Sequence, residues 1–227
     1  ATARHIAATR PDLRMQYCAF NRGIVEDAAG SMGPNVVCST AHSLAFRAVG
    51  YRYKHRLNGS RMKSNELARR LGVGPIVTTF GTQKKVLQPG YLASLVMRAV
   101  QQFCQTADLV PEAKHIPYIE GIDLPRDDGR RSYHNNDIVR GELLPTVRAA
   151  WADVQRVDGA LRFEHAHYLK IWALNSPYID ADVLLIDEFQ DTAAVLLGAI
   201  EEQTHAQLVG CGDSSQQLYE WLGAVDA

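Results

Sequence analysis

The stretch from Val183 to Asp191 constrains the fold of this chain more than any other part of the sequence. Four apolar residues, Val183 to Ile186, run directly into the acidic pair Asp187 and Glu188. A short, continuously apolar run is typical of a strand that is buried on both faces of a parallel sheet. The acidic pair then falls at the carboxyl end of that strand, where open α/β sheets bind ligands, and it suits a phosphate-bound Mg²⁺. The alternative is an acidic turn that caps the next helix.

The charged residues are unevenly distributed, although the net charge of the 227 residues is only −1. Residues 1–70 hold twelve Lys or Arg and four Asp or Glu, whereas residues 178–227 hold ten acidic residues and no Lys or Arg. A basic first half suits a polyanion such as nucleic acid, and an acidic end suits a metal-bound phosphate; solvated charged faces are the alternative.

The four cysteines form no Cys-x-x-Cys pair, so we predict neither a zinc ribbon nor a disulfide framework. No apolar run approaches the roughly 18 residues of a membrane span, so we expect no membrane partner.

Strand and helix patterns alternate at both ends of the chain. Strands are predicted at 14–20, 36–39, 183–186 and 207–211, the first three each followed by a helical pattern and the last by a polar loop that leads into a turn or helix, which indicates an α/β fold with a parallel sheet flanked by helices. Between residues 52 and 177 the pattern is helical, at 60–71, 91–107, 137–157 and 165–174, without a strand rhythm. We therefore predict one domain from residues 1–51 and 178–227, and a mostly helical inserted subdomain over residues 52–177.

A second polar stretch, Gly-Asp-Ser-Ser-Gln-Gln-Leu-Tyr-Glu-Trp-Leu-Gly-Ala at 212–224, follows the last predicted strand. With Asp-Glu-Phe-Gln-Asp at 187–191, it resembles motifs III and II of UvrD-like superfamily 1 DNA helicases. Residues 17–22 resemble motif Ia of that family, and residues 39–43 resemble motif Ib. Residues 103–108 and 165–172 are similar to the F-box DNA helicase branch and its prokaryotic relatives. The resemblance extends from about residue 14 to 227, and it implies a RecA-like sheet.

The resemblance implies an ATP-dependent DNA helicase with ATP and Mg²⁺ as cofactors. Asp187 would hold Mg²⁺, and Glu188 would orient and deprotonate the water that attacks the γ-phosphate. Gln216 would contact the γ-phosphate, and Gln190 would belong to the nucleotide site. Because phosphoryl transfer needs little covalent chemistry, such positioned charges are most of the catalyst.

The implied nucleic-acid side consists of polar and aromatic residues. The aromatic residues Phe20 and Trp221 would stack on bases, and Thr40 and His42 would touch the sugar-phosphate backbone. The same resemblance adds Asn21, which can also cap a helix, and Tyr219, which would support the motif III turn. Phe20, Tyr219 and Trp221 could instead be core residues, and His42 could cap its helix. A metal site at the His-x-His of residues 165–167 is disfavoured, because no Cys and no carboxylate except Glu164 stands at ligand spacing.

The implied partner is single-stranded DNA or a junction of single- and double-stranded DNA, with repair or recombination proteins as candidate partners. The expected location is the nucleoid-containing cytoplasm in a prokaryote and the nucleus in a eukaryote. The implied activity is ATP-driven movement on single-stranded DNA with duplex unwinding.

Two departures from the family pattern leave alternatives open. There is no Gly-Lys pair, so we expect the Walker A loop upstream of Ala1 and the second RecA-like domain beyond Ala227, and no ATPase activity from this fragment alone. Leu222 stands where the family usually has Arg, which removes a charge-assisted bond near the phosphate. A degenerate module that binds single-stranded DNA or a partner protein is therefore the alternative, with a metal-dependent nuclease using Asp187, Glu188 and Asp191 as a weaker one.

Overall fold

A computed structural model describes residues 2–19, 21–57, 59–80, 82–124, 133–189 and 192–212 of the chain. The chain divides into two compact units. The first, here called the sheet unit, comprises residues 1–55, 105–107 and 165–227. The second, the helical unit, comprises residues 56–104 and 108–164.

The described residues form eight α-helices and six strands. In chain order they are α1 (Thr2–Thr9), β1 (Met15–Ala19), α2 (Arg22–Ala29), β2 (Val36–Thr40), α3 (Ala41–Ala48), α4 (Ser64–Leu71), β3 (Ile76–Phe80), β4 (Gln83–Leu87), α5 (Pro89–Phe103), α6 (His134–Gln155), α7 (His165–Leu174), β5 (Val183–Asp187), α8 (Ala194–Glu201) and β6 (Gln207–Cys211). None of these helices has the combination of length and apolar character that crossing a membrane requires.

The sheet unit is built on a four-stranded parallel sheet in the order β2-β1-β5-β6. The predicted parallel α/β fold is confirmed. Strand β5 is central, and its residues Val183 to Ile186 are only 1–3% exposed, as the continuous apolar run predicts. All four strands end at one edge of the sheet, because parallel pairing brings their carboxyl ends together.

One face of this sheet is covered by α1 and α2. A core forms there from Met15 and Tyr17 of β1, Leu185 of β5, and the small residues Ala7 and Ala28 of the two helices. Small helical residues allow close packing of helix on sheet, and burial of such apolar area stabilises the unit by about 25 cal/mol per Å².

At the opposite edge of the sheet, Arg14 and Asp182 fix the register of β1 and β5. The Arg14 backbone N–H donates to Asp182 Oδ2 at 2.8 Å, and its guanidinium donates to Asp182 Oδ1 at 3.2 Å. In return the Asp182 backbone N–H donates to the Arg14 carbonyl at 2.8 Å. This pairing places Met15 opposite Val183, so the carboxyl ends of the two strands lie side by side.

The helical unit contains α4, α5 and α6 and also an antiparallel hairpin of β3 and β4. The prediction that residues 52–177 lack strands was wrong at this hairpin. Only Thr78 and Leu87 of its ten strand residues are buried. Strands that are mostly exposed need no continuous apolar run, so the sequence pattern did not reveal them. The core of the unit gathers around Phe103, whose ring meets those of His115 and Trp151 at 5.3 and 5.2 Å.

Helix α7 belongs to the sheet unit, where it packs against α3 and α8, although its residues fall within the predicted insert. Its side chains from His167 to Trp172 are all buried. A helix that is apolar around most of its circumference must be covered on several sides. The division into a RecA-like domain and an inserted subdomain at residues 51–52 and 177–178 stays a prediction.

Candidate functional site

Asp187 is the last residue of β5 and lies at the carboxyl edge of the sheet. Its Oδ2 accepts a hydrogen bond from the hydroxyl group of Tyr17 on the neighbouring strand β1. Tyr17 is only 5% exposed, and burial together with this bond raises its pKa well above the ordinary value. The hydroxyl group therefore keeps its proton and serves as a donor that orients the carboxylate.

A cavity of about 270 Å³ opens beside this pair. Residues of α1, α2 and three strands line it, among them Arg4, Tyr17, Asp27, Asp187 and Cys211. The cavity fits a hydrated Mg²⁺ with part of a phosphate chain, because Mg²⁺ takes one or two carboxylates and fills its other positions with water and phosphate oxygens. Asp187 is the predicted ligand, and Asp27 is a second carboxylate in the same lining. The described residues contain no cluster of three or more His, Cys, Asp or Glu side chains arranged for a metal ion.

Glu188 follows directly and has a left-handed backbone, with φ of +51°. This conformation costs a non-glycine residue about 1–3 kcal/mol, and it persists only where the surrounding structure imposes it. The chain turns sharply here as it leaves the strand. Backbone strain of this kind clusters at functional sites, and here it occurs at an acidic residue directly after Asp187.

The segment after Glu188 is held against β6 by an aromatic contact. The ring of Phe189 lies so close to Gly210 that a Cβ atom at residue 210 would be 2.9 Å from its Cγ. Glycine at this position therefore allows the ring to rest on the strand. The Phe189 carbonyl also accepts a hydrogen bond from the Thr192 backbone N–H at 3.1 Å.

The start of α8 is fixed by a buried lysine and the segment 105–107, both of which belong to the sheet unit. Lys170 of α7 is 1% exposed, and its Nζ donates to the Thr106 carbonyl at 2.7 Å. The neighbouring Gln105 carbonyl accepts from the Val195 backbone N–H in the first turn of α8 at 3.2 Å. These bonds fix the start of the helix that follows the acidic motif in the chain.

The two predicted nucleic-acid residues Asn21 and Thr40 cap helices at the same sheet edge. The Asn21 side chain accepts from the Ile24 backbone N–H at 2.9 Å, so the expected cap of α2 is confirmed. Thr40 caps α3, because its Oγ1 accepts from the Ser43 backbone N–H at 3.1 Å. The alternative that His42 caps α3 is therefore wrong. His42 lies in the first turn and is exposed.

The structure brings together the ends of the strands that precede the two helicase-like motifs. Strands β5 and β6 are adjacent, and Asp187 lies opposite Cys211 in the register. The prediction that the two motifs follow neighbouring strands on one side of the sheet is confirmed up to Gly212, which begins motif III and is the last described residue. Six other residues singled out from the sequence lie outside the described residues, namely Phe20, Gln190, Gln216, Tyr219, Trp221 and Leu222, and the same is true of Asp191. The roles assigned to individual site residues stay predictions.

Sequence reasoning missed Tyr17 and Lys170 as residues of this site. A tyrosine within an apolar strand carries no signal of a partner carboxylate 170 positions away. The lysine was visible as the one charged residue of α7, a helix that is otherwise mostly apolar. A charge there predicts a buried partner, because an unpaired buried charge is costly.

Comparison with known proteins gives two kinds of match. Residues 170–226 match the family model for the UvrD/REP helicase N-terminal domain. The chain is 26% identical over 223 residues to F-box DNA helicase 1 of Gallus gallus, which covers 95% of this chain and 20% of that protein. It is also 26% identical over 239 residues to F-box DNA helicase protein 1 of Schizosaccharomyces pombe, with 96% of this chain and 24% of that protein covered. The chain thus spans about a fifth to a quarter of the length of these curated relatives.

Proposed function

We propose that this chain, which belongs to the UvrD-like superfamily 1 helicases, is a motor-domain portion of a DNA helicase that couples ATP hydrolysis to movement on single-stranded DNA and to duplex unwinding. The observation that carries this proposal is the position of the acidic pair. Asp187 ends a buried central strand and Glu188 directly follows it, and Asp187 lines a cavity large enough for a metal-bound phosphate. Ligands of open α/β sheets bind at this edge.

The proposed chemistry divides between the two carboxylates. Asp187 would hold Mg²⁺, and the Tyr17 hydroxyl group would keep that carboxylate oriented. Glu188 would accept the proton of the attacking water. Its fixed left-handed backbone would hold the carboxylate where it can orient that water for in-line attack. When bound, Mg²⁺ neutralises the charge that develops on the phosphate oxygens. Gln190 and Gln216 stay predicted members of the nucleotide site.

The proposed nucleic-acid partner is single-stranded DNA or its junction with duplex DNA. Asn21 comes two residues after the end of β1 and Thr40 is the last residue of β2, at the same sheet edge as the acidic pair, and His42 stands in the first turn of α3. This placement supports their predicted roles, together with Phe20, Tyr219 and Trp221, in DNA binding. Repair or recombination partners and, for a eukaryotic protein, a nuclear location belong to the same proposal.

The alternative of a degenerate binding module is not favoured. The helicase family model matches residues 170–226, a range that includes the acidic pair as well as Leu222. The replacement of arginine at residue 222 therefore occurs within an otherwise recognisable motor sequence.

The test is the Glu188→Gln substitution in the full-length protein that carries this chain. We expect loss of ATP hydrolysis stimulated by single-stranded DNA, because the amide cannot accept the proton from water, while a fluorescent ATP analogue still binds. Glu201→Gln, on the exposed end of α8, is the matched control and should leave turnover unchanged. Wild-type turnover in Glu188→Gln would refute the role of Glu188.

A further inference from the structure

Helices α3 and α7 meet at four rings, here called the histidine cluster: His42, Phe46, His165 and Tyr168. The Tyr168 ring lies edge-on to the other three, with centroid distances of 6.0 Å to His42, 5.5 Å to Phe46 and 5.5 Å to His165. Tyr168 is only 3% exposed, whereas both histidines are exposed. The tyrosine is therefore a buried support for two imidazoles at the surface.

Gly50 packs closely against the rings of Phe46 and Tyr168 and fixes the position of Tyr168. A Cβ atom at residue 50 would lie 2.7 Å from Phe46 Cδ2 and 2.9 Å from Tyr168 Cγ, so a larger residue would push these rings away. Close packing of this kind leaves the tyrosine few alternative rotamers. A rigid support holds the imidazoles that rest on it in a defined arrangement.

The hydroxyl group of Tyr168 also orients His165. It lies 3.0 Å from His165 Nδ1, and burial raises the pKa of Tyr168, so the hydroxyl group keeps its proton and can donate it. A neutral imidazole that accepts at Nδ1 carries its own proton at Nε2, on the opposite side of the ring. His165 then offers one N–H donor away from its tyrosine partner.

The sequence around the histidine cluster carries more basic than acidic residues, and the one carboxylate next to it in the chain, Glu164 directly before His165, lies 3.4 Å from Arg162 Nε. Residues 40–55 contain no Asp or Glu, and neither does α7. The exposed side chains of Arg47, Arg52 and Lys54 follow His42 along the chain. Partial desolvation lowers the pKa of His42, and the electrostatic influence of His165 lowers it further. Two N–H donors in a basic environment suit an oxyanion, whereas a metal ion would need a third ligand, and the described residues supply none.

We propose that His42 and His165 together bind a phosphate of single-stranded DNA, with Tyr168 as the residue that positions His165. The inference rests on the proposed function for the identity of the ligand and extends it with a binding residue on α7. The buried ring of Tyr168 cannot stack on a base, and the N–H donors of the two imidazoles match the phosphate oxygens of the sugar-phosphate backbone. Backbone contacts of this kind bind without reading sequence.

The first test compares binding of a fluorescein-labelled oligothymidylate by anisotropy, at fixed salt, for the full-length protein and its variants. We expect His165→Ala to weaken binding about three- to tenfold, the range for one lost hydrogen bond. His5→Ala, an exposed histidine on α1, is the matched control and should bind like the wild type. Binding by His165→Ala within twofold of wild type would overturn the proposal, while loss of DNA-stimulated hydrolysis in Glu188→Gln would leave the proposed function standing.

The second test needs no variant for its main result. Diethylpyrocarbonate modifies accessible imidazoles, and mass spectrometry locates the modified residues. We expect the oligothymidylate to protect His42 and His165, but not His5, from modification. Unchanged modification of His165 in saturating oligothymidylate would overturn the proposal. Absence of any oligothymidylate binding by the wild type would instead overturn the DNA-binding part of the proposed function, and this inference with it.

The positioning role of Tyr168 is tested by the rate at which diethylpyrocarbonate modifies His165. Tyr168→Phe removes the hydroxyl group without removing the ring, so the imidazole support remains. We expect faster modification of His165 in this variant, because Nδ1 loses its partner, and binding about two- to threefold weaker. An unchanged modification rate in Tyr168→Phe would contradict the positioning role.

Discussion

The hydrogen bond from Tyr17 to Asp187 joins neighbouring strands at the edge where we propose that nucleotide binds, and Tyr17→Phe removes it with almost no change of volume. A hydrogen bond to a charged acceptor contributes about 1.5–3 kcal/mol net. Asp187 is half-buried, so the expected loss lies at the lower end, about 1.5 kcal/mol. For a chain of this length that corresponds to a fall in Tm of about 3–6 °C.

Urea unfolding of the purified chain, followed by circular dichroism, measures the loss. Tyr178→Phe is the matched control, because Tyr178 is 70% exposed and its ring stacks on His205. Its free energy of unfolding should change by less than about 0.5 kcal/mol. A Tyr17→Phe variant as stable as the wild type would show that the hydroxyl group contributes nothing to the sheet edge.

A double-mutant cycle then decides whether Tyr17 acts through Asp187. In an Asp187→Ala background the acceptor is gone, and the cost of Tyr17→Phe should fall below about 0.5 kcal/mol. The same cost in both backgrounds would refute the reasoning, since the hydroxyl group would then act on something other than the carboxylate.

Two further predictions concern the same sheet. Gly210→Ala should lower the free energy of unfolding by about 1–3 kcal/mol, because the added Cβ meets the ring of Phe189, and urea unfolding of this variant at wild-type stability would contradict that contact. Arg14 lowers the pKa of Asp182 through its side-chain and backbone hydrogen bonds, so Asp182 adds stability above its unfolded pKa of about 4 that is lost as the pH falls through the lower folded value. Asp182→Asn should therefore lose less stability than the wild type between pH 5 and about 3, and equal losses in urea titrations would rule out this linkage.

Local patterns in the sequence were sufficient for the elements that position the acidic pair. The run from Val183 to Ile186 predicted a buried strand because full burial on both faces demands continuous apolar residues. The cap at Asn21 was also readable, since a side chain that accepts from a backbone N–H three residues later needs no distant partner. The parallel arrangement followed from the alternation of strand and helix patterns.

Contacts between distant parts of the chain were decided only by the tertiary structure. The hairpin of β3 and β4 went unpredicted because its strands are mostly exposed, and burial is what gives a strand its sequence signal. The partners Tyr17 and Asp187 are 170 residues apart, and His42 and Tyr168 meet only because α3 packs on α7. A sequence pattern reports which residues must be buried or must cap an element, whereas the pairing of side chains depends on how those elements pack in space.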